Sequence, residues 1–155
     1  MISRIVTNSA FQTKKLGVDL AEKILQNRKK TKRARVLALQ GELGGGKTTF
    51  LQGFAKGLGI KEKILSPTFV ILKKFNISNP NFKFFYHIDC YRIQKPKDIL
   101  DLNFKKVVSD PQNIIAIEWA DRVFKILPKN TIVINFKSNN KNKRSIIIKW
   151  PNKKD

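Results

Sequence analysis

A glycine-rich stretch at residues 41–48 carries the residue types that bind a polyphosphate. It matches the phosphate-loop pattern G-x-x-x-x-G-K-S/T at every fixed position. Glycines allow the backbone to turn tightly, so that several N–H groups face phosphate oxygens, and a following helix adds N–H donors and partial positive charge. We therefore expect Lys47 to reach the β- and γ-phosphates of a nucleoside triphosphate and the Thr48 hydroxyl to ligate Mg²⁺.

The segments on either side of the glycines are those that the motif requires. Residues 34–40 form a short apolar run that predicts a buried strand. Residues 47–58 place their apolar side chains at helical spacing, and Gly59 predicts the end of that helix. The order of strand, glycine loop and helix favours a phosphate-binding loop over the alternative, a glycine-rich turn that contains Lys-Thr by chance.

Two carboxylates end predicted strands and are candidates for holding a metal beside that loop. Asp89 ends the apolar run 82–89, and Glu118 ends the run 113–118. Ligands bind at the carboxyl ends of strands in open α/β sheets, where the glycine loop also lies. Asp89 best fits a carboxylate beside the Thr48 hydroxyl, and Glu118 is expected either to hold Mg²⁺ or to orient the attacking water. The alternative for each acid is a turn cap or an ion pair with a surface lysine.

Three further side chains near these acids have less specific patterns. His87, the only histidine, lies on the same side of its strand as Asp89, and a single strand histidine is more often packed and hydrogen-bonded than catalytic. Cys90 is expected to be a small buried apolar residue. The pattern leaves open whether Trp119 belongs to the core or to the edge of a nucleotide pocket.

Net charge is the unusual bulk property. The chain has 32 Lys and Arg residues against 11 Asp and Glu residues, a formal charge of +21. Two explanations do not exclude each other: a surface that attracts nucleic acid or an acidic partner, and compositional drift towards Lys, Asn, Ile and Phe, which share A/T-rich codons. The basic segment 27–33 precedes the strand at 34–40, so it is expected about 17–20 Å from the glycine loop, as a solvated loop or a secondary RNA or partner contact.

Length and residue content indicate one α/β domain over residues 1–155, with a frayed tail at 151–155. The chain has 155 residues, 41% of them hydrophobic, which is enough for a sizeable core. A single cysteine excludes an intramolecular disulfide and a Cys-rich metal site, and it fits a reducing, cytoplasmic setting. No stretch approaches the ~20 apolar residues that span a bilayer, so no membrane partner is expected.

The other predicted elements complete an alternation of strands and helices. Helices are predicted at 11–25, capped by Ser9, at 96–102 and, as a short or irregular segment, at 120–127. Strands are predicted at 2–7, 131–136 and 144–150, and residues 66–72 are predicted to be a loop that enters a strand. A turn is predicted at 76–81 and a hairpin loop at 137–143.

Four motifs in a fixed order carry a resemblance to a known family. They are Gly41-Glu42-Leu43 continuing to Gly46-Lys47-Thr48-Thr49, then Ser66-Pro67-Thr68-Phe69, His87-Ile88-Asp89-Cys90-Tyr91-Arg92 and Ile117-Glu118-Trp119. The set resembles the TsaE (YjeE) ATPases, from about residue 9 to about residue 148. One departure is Gly45, where that family usually has alanine, and only backbone entropy is expected to change.

The resemblance implies a P-loop NTPase fold, an α/β three-layer sandwich whose mostly parallel central sheet is flanked by antiparallel strands. It implies Mg²⁺-dependent ATP hydrolysis that is weak in the isolated protein and activated by partners. The implied partners are the TsaD and TsaB proteins, which transfer a threonylcarbamoyl group to adenosine 37 of tRNAs that read ANN codons. ATP hydrolysis would reset that complex between rounds, and tRNA would be contacted indirectly, through the complex.

The resemblance also implies a role for each matching residue. The implied nucleotide-binding residues are Thr13, Gly41, Leu43, Gly44, Gly45, Gly46, Lys47, Thr48, Thr49, Asp89 and Arg144. The implied metal ligands are Thr48, Asp89 and Glu118. The implied catalytic residues are Lys47, Asp89, Glu118 and Thr68, the last in a switch-like loop that senses the γ-phosphate.

Two alternative functions stay open at this point. The charge of +21 is compatible with an RNA-binding module whose nucleotide binding is vestigial. The phosphate-loop pattern is also compatible with a small-molecule P-loop kinase, although no second Gly-rich or Arg-rich segment indicates a lid over an acceptor.

Overall fold

The computed structural model describes residues 1–27, 30–65 and 72–152. These residues form the strands β1 (Ile2–Thr7), β2 (Arg35–Gly41), β3 (Leu72–Asn76), β4 (Phe84–Asp89), β5 (Asn113–Glu118), β6 (Ile132–Ser138) and β7 (Arg144–Lys149). They also form the helices α1 (Ala10–Gln26), α2 (Lys47–Gly57), α3 (Pro96–Leu100) and α4 (Phe104–Ser109), and a 3₁₀ helix at Ala120–Ile126.

The described strands form one mixed sheet in the order β1-β7-β6-β2-β5-β4-β3. Strand β2 pairs in parallel with β5 and β6, and β5 pairs in parallel with β4. The pairs β1–β7, β6–β7 and β3–β4 are antiparallel. The predicted α/β class, with a parallel centre flanked by antiparallel strands, is confirmed.

The parallel centre brings three functional segments to one edge of the sheet. Strand β2 ends at Gly41, β4 ends at Asp89 and β5 ends at Glu118. Asp89 and Glu118 are register partners, and Glu118 is also opposite Leu39 of β2. Because parallel neighbours run in the same direction, the glycine loop after β2 and both strand-end carboxylates lie together, at the edge where α/β sheets bind ligands.

Hydrophobic residues fill both faces of the sheet. One cluster joins α1 and α2 to the first face and includes Leu20 and Phe54. A second cluster joins α3, α4 and the 3₁₀ helix to the other face and includes Ile99, Phe104 and Val123. Strands β2 and β5 contribute to both clusters, which explains why their sequences are apolar at nearly every position.

Helices α1 and α2 cross with their backbones in contact. A Cβ atom at Gly53 of α2 would lie 1.9 Å from the carbonyl oxygen of Lys14, and one at Gly17 of α1 would lie 2.2 Å from the carbonyl oxygen of Phe50. Both distances are far inside van der Waals contact, so a side chain at either position would force the helices apart. This packing holds the first turn of α1 close to the loop that begins α2.

The ends of both helices follow the predicted local signals. The Ser9 side chain accepts a hydrogen bond of 3.1 Å from the Gln12 N–H, which confirms Ser9 as the cap of α1. Gly59 has a φ of +80° just after α2, and its N–H donates to the Lys56 carbonyl at 3.0 Å. The predicted strands at 2–7, 82–89, 113–118, 131–136 and 144–150 agree with the observed ones to within two residues.

Helix α4 is absent from the sequence-based prediction. Its apolar residues Phe104, Val107 and Val108 do have helical spacing. The helix has only six residues, however, and it follows Asn103 in the left-handed region at φ 57°. So few periodic positions do not predict a helix on their own, and packing of Phe104 into the second cluster stabilises this one.

The segment before β3 is only partly described. Strand β3 begins at Leu72, the last residue of the stretch 66–72 that is predicted to lead from a loop into a strand, and it extends through Asn76, one residue into the predicted turn at 76–81. The predicted loop that begins at Ser66, including the implied γ-phosphate sensor Thr68, lies outside the described residues.

Candidate functional site

A cleft of about 240 Å³ lies where the glycine loop, α1, the end of β5 and the β6–β7 hairpin meet. Its lining contains Ala10, Thr13, Leu43, Gly44, Gly45, Gly46, Lys47, Thr48, Thr49, Glu118, Trp119, Lys141, Asn142 and Arg144. The fold therefore gathers most of the implied nucleotide-binding residues at one place. Gly41 and Asp89 are not part of this lining but adjoin it at the ends of β2 and β4.

The glycine loop is a tight turn between β2 and α2. Gly41, Gly44 and Gly46 all have positive φ angles, of 134°, 73° and 100°. The Gly45 N–H donates to the Glu42 carbonyl at 3.0 Å, which closes the turn. Helix α2 begins at the next residue after Gly46, so its first N–H groups point into the cleft without competition from a side-chain cap.

Gly45 is more restricted than the sequence indicates. A Cβ atom at this position would lie 2.9 Å from the Glu42 carbonyl oxygen, closer than real Cβ contacts. An alanine here requires the backbone of the turn to shift. The expectation that glycine in place of alanine changes only backbone entropy is therefore wrong for this loop.

Lys47 lies beneath the loop rather than in solvent. Its side chain is buried, and Nζ donates to the Gly41 carbonyl at 2.7 Å and to the Glu42 carbonyl at 2.8 Å. The same ammonium lies 4.2 Å from the centre of the Trp119 ring. Burial lowers the pKa of Lys47, and the nearby charge of Glu118 opposes that shift. A cation held in this partly desolvated position interacts strongly with an anion that enters the loop.

Glu118 is the carboxylate that contacts the loop hydroxyl. Its Oε1 accepts a hydrogen bond of 3.0 Å from the Thr48 hydroxyl, and its Oε2 lies 2.8 Å from Nε2 of His87. The sequence-based interpretation favours Asp89 for the position beside Thr48, whereas the structure places Glu118 there. Which of the two carboxylates holds a metal stays a prediction.

Asp89 lies beside Glu118 and has a different environment. Its Oδ1 accepts a hydrogen bond of 2.9 Å from the Tyr91 N–H. Burial raises the pKa of Asp89, and the Glu118 charge raises it further, while the hydrogen bond from Tyr91 lowers it. Asp89 is thus a more basic carboxylate than an exposed aspartate. It lies at the end of β4, at the same edge of the sheet as Glu118.

Thr13 and Arg144 flank the loop from two sides. A Cβ atom at Gly46 would lie 3.6 Å from Cγ2 of Thr13 and 3.7 Å from Cγ of Arg144. The Thr13 hydroxyl is used within the protein, because it lies 2.7 Å from the Thr7 hydroxyl and 3.3 Å from the Ser9 carbonyl. The structure thus presents the methyl group of Thr13 to the loop. Arg144 opens β7 and lines the cleft, and its guanidinium donates to the Asn140 carbonyl at 2.8 Å and to the Lys141 carbonyl at 3.3 Å within the hairpin.

Sequence reasoning missed Ala10, Lys141 and Asn142, which also line the cleft. Lys141 and Asn142 lie in the polar hairpin loop just before Arg144. Their closeness in sequence to Arg144, an implied nucleotide-binding residue, could have identified them. Trp119, left open between core and pocket, lines the cleft, with a φ of 56° and its ring 5.1 Å from that of Tyr91.

The basic segment lies at the opposite end of β2 from the glycine loop, as predicted. Its described residues Asn27, Lys30 and Thr31, together with Arg35 of β2, line a separate cleft of about 260 Å³, which shares no lining residue with the first. Burial lowers the pKa of Arg35. The described residues of this segment therefore do not contribute to the cleft at the glycine loop.

Cys90 is buried, as the sequence predicts, and we expect it to be chemically inert in the folded protein. Burial raises the pKa of its thiol to about 12, so little thiolate forms at neutral pH. Reaction with dithionitrobenzoate should be at least ~100-fold slower in the native protein than in urea. Equal rates in the two conditions would contradict the buried position.

None of the helices in the described part of the chain is long and apolar enough to cross a membrane.

Comparison with known proteins identifies a family. The family model "Threonylcarbamoyl adenosine biosynthesis protein TsaE" matches residues 7–146.

Individual relatives agree with the family model. A tRNA threonylcarbamoyladenosine biosynthesis protein TsaE from Treponema pallidum is 34% identical, over 86% of this chain and 90% of its own length. The protein of the same name from Rickettsia typhi is 36% identical, over 94% of this chain and 93% of its own length. The crystal structure of YdiB from Bacillus subtilis superposes with a TM-score of 0.73 at 28% identity, covering 98% of this chain and 87% of that one.

Proposed function

The chain belongs to the TsaE family of threonylcarbamoyl adenosine biosynthesis proteins, and from that premise we propose that it is a Mg²⁺-dependent P-loop ATPase. The observation that carries this proposal is the group formed by the glycine loop, Lys47, Thr48 and Glu118. It combines backbone donors, a buried cation, and a hydroxyl paired with a carboxylate. This combination is suited to a triphosphate with its metal.

The donor set is compatible with Mg²⁺. Thr48 and Glu118 present hard oxygen atoms 3.0 Å apart, which is the ligand type that Mg²⁺ prefers. No group of three or more His, Cys, Asp or Glu residues able to hold a metal occurs among the described residues. Mg²⁺ at a nucleotide site is usually held by one or two protein groups, phosphate oxygens and water rather than by an all-protein cage. Bound there, the ion would neutralise charge on the phosphate oxygens.

Different residues of the chain then have different roles in hydrolysis. The loop N–H groups and Lys47 bind the phosphates and stabilise the negative charge that develops on them. Glu118 holds Thr48 in place. Asp89, with its raised pKa, is the carboxylate suited to orient and polarise the water that attacks the γ-phosphorus while ADP leaves. The implied role of Thr68 in sensing the γ-phosphate belongs to the same proposal.

We further propose that the ATPase serves the TsaB and TsaD proteins, resetting the complex that modifies adenosine 37 of tRNAs that read ANN codons. The support is the family, together with the hydrogen bonds that hold Lys47 to the Gly41 and Glu42 carbonyls. Two of the three N–H donors of this ammonium are bonded to the loop's own carbonyls, so it has to exchange at least one of them to contact more than one phosphate oxygen. Such a site is expected to be slow alone and to be accelerated by a partner that favours the rearranged loop.

The partner role is tested by ATP turnover with and without the cognate TsaB and TsaD proteins. Addition of both should raise the rate at least ~10-fold, equivalent to about 1.4 kcal/mol off the barrier. Bovine serum albumin at the same concentration is the control for non-specific stabilisation. If a folded complex forms and the rate does not change, the partner role is wrong, while the basal rate still tests the ATPase.

The distribution of charge favours a second candidate function, an RNA-binding module. Residues 122–154 contain ten Lys and Arg residues and no Asp or Glu. This function predicts tRNA binding by the isolated chain, with a steep salt dependence and no sensitivity to Asp89→Ala or Glu118→Ala. Binding of tRNA only in the presence of TsaD would exclude it.

A further inference from the structure

A buried His–Glu pair adjoins the proposed nucleotide site, and the proposed function gives its histidine no role. His87 and Glu118 are 1% and 2% exposed, and Nε2 lies 2.8 Å from Oε2. In the register of β4 and β5, His87 is opposite Ala116 and Asp89 is opposite Glu118. The pair is thus formed diagonally across two parallel strands, on the face that also carries the glycine loop.

The hydrogen bonds fix the orientation of the Glu118 carboxylate. A carboxylate accepts hydrogen bonds and does not donate, so Nε2 of His87 is the donor. Oε1 of Glu118 accepts from Thr48 at the same time. With both oxygens engaged, the carboxylate plane is held from two sides. Removal of the imidazole would leave one buried oxygen without that donor and allow the group to rotate.

The chain of contacts determines how Thr48 faces the cleft. A hydroxyl has one proton and two lone pairs. Because the proton of Thr48 is directed to Glu118, the lone pairs of its oxygen point away from that carboxylate. The chain His87–Glu118–Thr48 has the arrangement of an outer residue that orients a ligand group.

We propose that His87 is a positioning residue of the metal site, which acts through Glu118 to orient the Thr48 hydroxyl towards a divalent cation. This rests on the proposed function, because it assumes a metal–nucleotide complex in the cleft. Sequence statistics favour the simpler role of a packed strand histidine. A position that only fills the core is better served by an apolar residue, as at Phe85, two residues earlier on the same face, which packs against Phe54 and Phe75.

The test measures metal affinity rather than activity alone. Mn²⁺ binding to the ADP complex, followed by electron paramagnetic resonance, should weaken ~10–100-fold in His87→Leu, the usual effect of losing an outer residue. His87→Gln retains an N–H at a similar reach and should restore affinity to within about threefold of wild type. Phe85→Leu is the matched control, because it alters packing on the same strand and should leave Mn²⁺ affinity unchanged.

The outcomes separate this inference from the proposed function. If wild type binds Mn²⁺–ADP and His87→Leu binds it equally well, the positioning role is overturned and the ATPase proposal stands. The same follows if Phe85→Leu is as damaging as His87→Leu, or if His87→Gln gives no rescue. If wild type binds no Mn²⁺–ADP, both proposals are overturned.

A measurement on the wild-type protein covers the case in which His87→Leu does not fold. His87 is the only histidine, so its ring resonances are unambiguous in a ¹⁵N spectrum. Addition of Mg²⁺ to the ADP complex should shift the Nε2 resonance, because Glu118 and Thr48 transmit the change. An unchanged resonance would overturn the positioning role.

Discussion

Alanine in place of Lys47 is expected to lower the rate of ATP hydrolysis by ~10³-fold or more, the upper end of the cost of removing one preorganised charge-stabilising group. The Lys47 ammonium is the buried cation of the glycine loop, held by the Gly41 and Glu42 carbonyls. Among the described residues, no other cation is bonded to those two carbonyls. The measurement is phosphate release at saturating Mg²⁺ and ATP.

Two control variants show whether charge or packing is responsible. Lys47→Met keeps most of the side-chain stem beside Trp119 but removes the charge, and it should be as inactive as Lys47→Ala. Lys56→Ala changes an exposed lysine later in the same helix and should hydrolyse ATP at the wild-type rate. If Lys47→Ala retains a rate within tenfold of wild type, the phosphate-loop assignment is wrong.

Alanine in place of Gly53 is expected to destabilise the protein by about 3 kcal/mol, at the upper end of overpacking costs. The new Cβ atom would lie 1.9 Å from the Lys14 carbonyl oxygen, and a backbone atom cannot move aside as a flexible side chain can. Helix α1 must shift away from α2, which also displaces Thr13 from the cleft. Urea denaturation measures the free energy of unfolding, and ATP affinity should fall in the same variant.

Gly59→Ala is the matched control for this variant. Gly59 has a φ of +80° but no atom within 4 Å of a built Cβ, so alanine there meets only the backbone strain of about 1–2 kcal/mol. Gly53→Ala should therefore be the more destabilising of the two and the only one that weakens ATP binding. Equal stability of both variants would show that the two helices are not in backbone contact.

Local sequence patterns predicted the glycine loop, its helix and the strand-end acids because the information for each lies within a few residues. The loop at 41–48 has its glycines, lysine and threonine contiguous, and the strands ending at Asp89 and Glu118 are apolar runs that stop at an acid. Parallel pairing then follows from the alternation of strands and helices. The α/β class and the common edge of these residues were therefore predictable.

Contacts between distant residues were not predictable in the same way. Glu118 rather than Asp89 contacts Thr48, although 70 positions separate the two, because β5 is the immediate neighbour of β2 in the sheet. The order β6-β2-β5-β4 is set by how the apolar faces of the strands and helices pack. The periodicity of one strand does not indicate which strand pairs with it. The role of His87 depends on the same neighbour relation.

The sequence alone determined which chemical groups the glycine loop offers, because residues 41–48 contain both the glycines that form the turn and the lysine that supplies the positive charge. The tertiary structure alone decided which groups surround that loop. It buried Lys47 against Trp119, paired His87 with Glu118, and brought Lys141 and Asn142 of the hairpin to the cleft. The physical reason is that burial and hydrogen-bond partners arise from the packing of strands and helices that are far apart in the chain.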